Sequence, residues 1–519
     1  MKDLRKKTVS GFAYKFAERV GAQGLSFVLQ LVLARILLPG DYGVVGLVTV
    51  FIAICDVFVT HGFGTALIAN KDSDSKDFST CFYFNLMLAA VLYLVVFFGS
   101  PLVAKIYSHF DEKLLVSVMR VMGLRIPIAA FNSVQHAYVS KHMRFKKFFY
   151  ATLIGTIISG AIAVVMALNG CGVWSLVEQY LGNAFIDTIC LFIIVGWRPT
   201  REFSFERLKK IYSFGWKILV VGLIDTLYSR LRNLVIGAKY TKEDLAYYNR
   251  GYSFPSFGMR LIEPTVNTVL FPALSGCQDD QAEMRHITRN VLQVSTYIVT
   301  PIMVGLAVVA KPLVHLLLTD KWLPCVIYLQ IGCLANLFRC QQFINNQVIK
   351  ASKNSALLLK LDILKKCIGL VLLIVSMQFG VLWIALSLVV TNLISLFINI
   401  APNRKILNYG YLDQFKDVLL NMVPGFLMGA CIYPIQLLKL HTSVILVLQV
   451  VLGVALYIGF SLLLRNHSFH LLLNYLKKNV FSRKKKAKGK ENEDVSASDA
   501  ADVRAAEMDD AYNNDQPEE

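Results

Sequence analysis

FFYATLIGTIISGAIAVVMALNGCGVWSLVEQYLGNAFIDTICLFIIVG, residues Phe148–Gly196, decides the fold class. Two apolar stretches, 148–169 and 172–196, meet at the short turn Asn169-Gly170-Cys171-Gly172, and the only charges between them are Glu178 and Asp187. Each stretch has the roughly 20 residues a helix needs to cross a hydrocarbon core about 30 Å thick. Joined by so short a turn, they can only run back along one another, as a membrane hairpin.

The pattern repeats outward in both directions. Upstream spans are expected near 11–38, 42–67, 81–106 and 114–139. Downstream ones fall near 211–237, 244–274, 287–310, 322–349, 356–378, 380–401, 418–438 and 443–465. The fold class expected is therefore an all-α polytopic membrane protein with about 14 transmembrane helices. Composition agrees: of 519 residues, 55% are hydrophobic and 17% charged, and mean hydropathy is +0.53. A soluble helical protein of that make-up would have to hide nearly every helix on all sides.

The basic start Met1–Lys7 leads into a segment with Lys15, Glu18 and Arg19 and no small-residue cleavage site, so no cleaved signal is expected. The ten cysteines lie mostly inside apolar runs without a CxxC pair, which reads as packing. No metal, cofactor or nucleic-acid partner is expected.

Lysine and arginine concentrate in alternate loops: Lys2–Lys7, Lys141–Lys147, Arg198–Lys210, Lys350 and Lys353, and Arg404 and Lys405. Turns such as 39–41, 169–172 and 378–380 carry none. The positive-inside bias then places both termini in the cytoplasm. Beyond the basic run Arg483–Lys490, residues 491–519 are acidic and polar without apolar periodicity, and are expected to be disordered.

The halves of the chain overlay at an offset of about 203–208 residues, an interval taken directly from the numbering. The turn Leu38–Gly43 falls on Thr241–Ala246, and Gly170–Leu176 falls on Phe379–Ala385. The expected organisation is a first lobe at 1–196, a cytoplasmic linker at 197–210, a second lobe at 211–401, two added helices at 402–465 and a tail at 466–519. Such repeats mark transporters with the substrate between the halves.

Charge at bilayer depth is costly unless it is paired or faces water. Bases outnumber acids on helices one, four, seven, eight and ten, which points to a wet, positive cavity suited to phosphate. Depth and helix position single out Arg19, Arg125, Lys217, Arg230, Arg260 and Arg339 as its lining. Pro255 and Pro264 make the eighth helix the expected hinge. No nucleotide-binding glycine loop, nucleophile elbow or paired metal ligands occur, so an enzyme is not expected.

Three motifs carry a resemblance: Leu33–Gly43 after the opening Gly11-Phe12-Ala13-Tyr14, Phe63–Ile68, and Gly172–Val177. In these the chain resembles the polysaccharide exporters (O-antigen, teichuronic-acid and colanic-acid flippases) of the multidrug/oligosaccharidyl-lipid/polysaccharide flippase superfamily, over about residues 1–465. The resemblance implies two six-helix lobes in a V plus two C-terminal helices. It also implies transport of undecaprenyl-pyrophosphate-linked glycans between leaflets of the bacterial inner membrane, coupled to a proton or sodium gradient. Glu18, Asp56, Asp225 and Glu263 are the acids on which coupling would fall. The partners implied are the lipid-linked glycan, membrane lipids and polysaccharide-assembly proteins. The competing readings are a drug or small-cation exporter of the same superfamily, which should favour buried acids over bases, and a membrane glycan polymerase, which needs a substantial outer loop.

Overall fold

The structure, a computed structural model, describes residues 21–473 apart from 22, 61–63, 65, 66, 68–73, 143–145, 353, 439 and 472. Glu18 and Arg19, the Phe63–Ile68 motif in large part, and the acidic tail thus lie outside the described residues. All regular secondary structure within them is helical.

The first half contains α1 (Gln23–Ile36), α2 (Pro39–Thr60), α3 (Ser75–Ile106), α4 (Glu112–Gly123), α5 (Arg125–Lys141), α6 (Lys146–Leu168) and α7 (Val173–Val195). The second contains α8 (Phe205–Lys239), α9 (Lys242–Gly276), α10 (Gln281–Val308), α11 (Ala310–Leu318), α12 (Cys325–Leu337), α13 (Arg339–Ala351), α14 (Ser355–Ser376) and α15 (Val381–Leu407). Two further helices, α16 (Tyr411–Ile432) and α17 (Thr442–Leu463), complete it.

Among the described residues, nine helices are long and apolar enough to cross a membrane, and α8, bent by 52° near residue 214, makes a tenth. The other four expected spans are helical too, but each departs from a simple apolar rod. The described part of α1 is short. Charged residues interrupt α9 (Arg250, Arg260, Glu263) and α14 (Lys360, Asp362, Lys365, Lys366), and α12–α13 is broken at Phe338. Apolar residues exposed along α3 (Leu94, Val95, Phe98, Leu102) and α17 (Val447, Val451, Val454) face outward, as helices bathed in lipid must.

The opening hairpin forms as read. Gly170 (φ 78°) and Gly172 (φ 54°) take the left-handed conformations that turn α6 into α7. Where α6 and α7 cross, Gly155 brings α6 to within 3.2 Å of the α7 backbone at Asn183 and Asp187, measured from the position of an added Cβ. The repeat holds at helix starts: Pro39 and Lys242 open α2 and α9, and Gly172 and Gly380, both at positive φ, cap α7 and α15.

The breaks are not where proline suggested. The helix α9 runs unbroken through Pro255, Pro264 and Pro272, and α10 and α16 run through Pro301 and Pro424. The interruptions fall at Leu124 and Phe338, in the fourth span of each half, and each is followed at once by an arginine, Arg125 or Arg339.

The C-terminal pair is fastened to α10. Gly425 and Gly429 of α16 admit Thr300 and Val304 of α10 so closely that an added Cβ would meet them. Toward the start of α16, the buried Asp417 carboxylate accepts from Arg289 Nε and Nη2 (2.8 Å each), Gln293 Nε2 (2.8 Å) and the Tyr409 hydroxyl (2.7 Å).

Candidate functional site

The halves meet along α2 and α9. Gly43 of α2 lies so close to α9 that a Cβ there would fall on the Lys242 carbonyl, 2.6 Å from its carbon. The C-terminal carbonyls of α1, which have no partner within their own helix, are capped from the other half. Trp322 Nε1 donates to Ala34 O at 2.8 Å, and Lys321 Nζ to Arg35 O at 2.7 Å. The buried Arg250 guanidinium covers the rings of Tyr42 (4.6 Å) and Trp322 (5.3 Å). At the end bearing the turns at 38–41, 240–242 and 319–322, the halves are therefore closed on each other.

Deeper in, two cavities flank a pair of stacked rings, Phe27 of α1 and Phe257 of α9, whose centroids lie 4.7 Å apart. The first, about 640 Å³, is apolar; its lining includes Phe254, Met303, Leu306, Met428 and Val450 from α9, α10, α16 and α17. The second, about 210 Å³, is polar: Gln23, Ser26 and Gln30 from α1, Thr152 and Thr156 from α6, Asn183 from α7 and Arg260 from α9. Phe27 and Phe257 belong to both walls. Residues from both halves of the sequence thus line an apolar space and, across the two rings, a hydrogen-bonding one whose described lining holds a single formal charge.

The candidate residues separate into paired and unpaired groups. Arg125 Nε meets Asp56 Oδ2 at 3.3 Å while its guanidinium covers Tyr180 at 4.2 Å. Arg339 Nε meets Glu263 Oε1 at 2.5 Å and Nη2 meets Oε2 at 3.2 Å. These pairs occupy matching spans of the two halves: an acid of the second span holds the arginine that follows the break in the fourth. Asp225 pairs with Lys366 of α14. Each described acid expected to bear ion coupling is thus engaged by a cation. Lys217, Arg230 and Arg260 have exposed side chains and no ion pair among the described residues, and of the three only Arg260 lines the polar cavity.

Sequence reasoning passed over several groups. Lys365 (bonded to Asn399 Oδ1, 3.0 Å) and Lys366 sit within an expected span, and their charge at that depth was the available signal. Asp187, noted only as a charge in the hairpin, accepts from Asn132 Nδ2 (2.8 Å) and Thr152 Oγ1 (3.2 Å), with His136 Nε2 at 3.9 Å. The amides and hydroxyls of α1 gave no signal, because a solitary Gln in an apolar run is unremarkable. No cluster of three or more metal-ligating side chains occurs among the described residues.

The profile of a family described as polysaccharide biosynthesis protein matches residues 32–327. Among characterised sequences, the chain is 26% identical over 318 residues to the succinoglycan biosynthesis transport protein ExoT of Rhizobium meliloti (strain 1021), covering 61% of this chain and 64% of that protein. It is 24% identical over 407 residues to the lipopolysaccharide biosynthesis protein WzxC of Escherichia coli (strain K12), covering 77% and 82%. Among solved structures, the lipid II flippase MurJ in an inward closed conformation superposes with a TM-score of 0.68 at 14% identity, over 88% of this chain and 99% of that one. An inward-facing multidrug resistance MATE family transporter of the MOP superfamily gives 0.61 at 13% identity, over 76% and 98%. At those identities the likeness is one of fold.

Proposed function

The chain belongs to the polysaccharide biosynthesis protein family, and from that premise we propose that it flips a lipid-linked glycan precursor across the bacterial inner membrane. The observation that carries the proposal is the shared Phe27–Phe257 wall, with an apolar cavity on one side and a hydrogen-bonding pocket containing Arg260 on the other. An amphiphile with a long hydrocarbon chain and a phosphate-linked sugar head matches both at once. The chain takes the apolar cavity, whose volume lies in the ordinary ligand range of about 300–1,000 Å³. The phosphate takes the guanidinium, whose planar fork suits its oxygens.

The substrate proposed is an undecaprenyl-pyrophosphate-linked oligosaccharide, and the route alternating access. The closed Gly43–Lys242 seam is then the outer gate, and the structure is inward-facing, with both termini cytoplasmic. We take all fourteen helical stretches as spans and the repeat halves as the moving lobes. Coupling to a proton or sodium gradient is supported by the family resemblance. It would act by exchanging the cation partners of Asp56, Asp225 or Glu263, or through Glu18.

A small-cation or drug exporter fits less well, since among the described residues the polar pocket presents an arginine and no carboxylate. The test is flipping of undecaprenyl-pyrophosphate-linked oligosaccharide in proteoliposomes, read by accessibility of the glycan to an external glycosidase. Catalysed exposure, reduced at least tenfold by Arg260→Ala, is expected. Efflux of cationic dyes without glycan exposure would overturn the proposal.

A further inference from the structure

The polar pocket holds more than a phosphate requires. Among the described residues of the wall, Arg260 supplies the one formal charge, and every other polar group is a neutral amide or hydroxyl. Thr156 Oγ1 is occupied by Asn183 Nδ2 (3.1 Å) and Thr152 Oγ1 by Asp187 Oδ1 (3.2 Å). The side chains of Gln23, Ser26 and Gln30 have no hydrogen bond among the described residues, and Gln23 Oε1 is buried. A buried acceptor without a donor is costly, so a ligand that supplies one is favoured.

We propose that this pocket reads the sugar joined directly to the lipid diphosphate and selects a neutral, hydroxyl-bearing one; the inference rests on the flippase reading above. Three features set the class. Gln23 and Gln30 each offer both donors and an acceptor, which pair with hydroxyls of either sense. The stacked Phe27 and Phe257 side chains give the pocket an apolar border against which the C–H groups of a pyranose can pack. The Asp187 carboxylate, behind Thr152, sets a negative charge at the back of the pocket, and among the described residues of the wall Arg260, which the phosphate engages, is the one cation that could balance an acidic sugar. The volume, about 210 Å³, falls short of the roughly 300 Å³ at which whole-ligand pockets begin, so the site admits one ring and leaves the rest of the glycan outside it.

The experiment uses the full chain in nanodiscs and three probes: undecaprenyl diphosphate, undecaprenyl-diphospho-glucose and undecaprenyl-diphospho-glucuronic acid. The quantity read is the ratio of dissociation constants between the sugar-free lipid and each sugar-bearing one. Two net hydrogen bonds should make the glucose ratio about tenfold and leave the glucuronic acid ratio near one. Gln23→Met and Gln30→Met, which keep side-chain length and remove hydrogen bonding, should bring the glucose ratio toward one. Gln30, at the more exposed position, carries the test if Gln23→Met fails to fold. A wild-type glucose ratio of one, equal ratios for the two sugars, or a ratio untouched in both variants would overturn the inference while leaving the flippase reading standing. Failure of the wild type to bind any of the three lipids would overturn both.

Discussion

Replacing Gly43 by alanine should open the seam between the halves. The added Cβ would fall on the Lys242 carbonyl, 2.6 Å from its carbon, whereas real Cβ contacts essentially never come within 3.0 Å. The obstacle is backbone at the first turn of α9, held there by the Thr241–Asp244 capping box, so no flexible side chain can swing aside. Overpacking of that kind typically costs about 1–3 kcal/mol. Because the clash exists only while α2 and α9 touch, the cost falls on the closed state alone and shifts its population relative to an open one roughly 5- to 150-fold. Hydrogen–deuterium exchange of amides near 38–45 and 241–247 reads that shift directly. Gly24→Ala serves as the control, since nothing lies within 4 Å of a Cβ at Gly24. Unchanged exchange in Gly43→Ala, with normal folding, would show that the contact does not hold the halves together.

Three further outcomes are expected. Asp417→Asn, which leaves Arg289 without its bidentate partner, should lower stability by about 2–3 kcal/mol, a figure discounted because Arg289 is half exposed; thermal unfolding in detergent checks it, and an unchanged midpoint would refute it. Arg125→Ala and Arg339→Ala should lower membrane abundance by stranding Asp56 and Glu263, and Asp56→Ala should restore it in the first case; abundance of the single and double variants in membranes decides. The hydrogen bond from Arg207, with backbone N–H donors, holds the Asp74 carboxyl below the usual carboxylate range. Docking of residues 197–204 and the first turn of α8 on α3 should therefore gain from this pair fully above the ordinary value of 3.8 and lose the gain as pH falls through the lowered one. Fluorescence of Trp197, packed on Phe78 and Phe82, should report the loss, and Arg207→Ala should abolish the pH dependence.

How much of this was legible in the sequence depended on whether the signal was local. The hairpin at Phe148–Gly196 could be read because apolar length and a glycine turn are properties of adjacent residues. The breaks at Leu124 and Phe338 could not. Pro127 lies just beyond the first, but the second has no proline or glycine to announce it, only the polar run Gln341–Gln347 that follows. The partners of Arg125 and Arg339 lie 69 and 76 residues away on other helices, so neutralised charges looked the same as available ones. Arg260 was found by residue type and depth. Gln23, Ser26 and Gln30 acquire meaning only when α1, α6, α7 and α9 converge around one space.

The fastening of α16 to α10 bears on how a hydrocarbon tail could come and go. Gly425 and Gly429 leave no slack between the two helices, and the three donors that Arg289 and Gln293 of α10 direct at Asp417 clamp them again further along. Of the elements around the apolar cavity, α10 and α16 thus behave as a single fixed jamb, and α1 contributes only Phe27, from the opposite half of the sequence. Any motion of one half against the other must lift that ring off Phe257. On the proposed flippase reading, the step that admits a lipid chain is then the same step that parts Phe27 from Phe257, and with it the wall between chain and sugar.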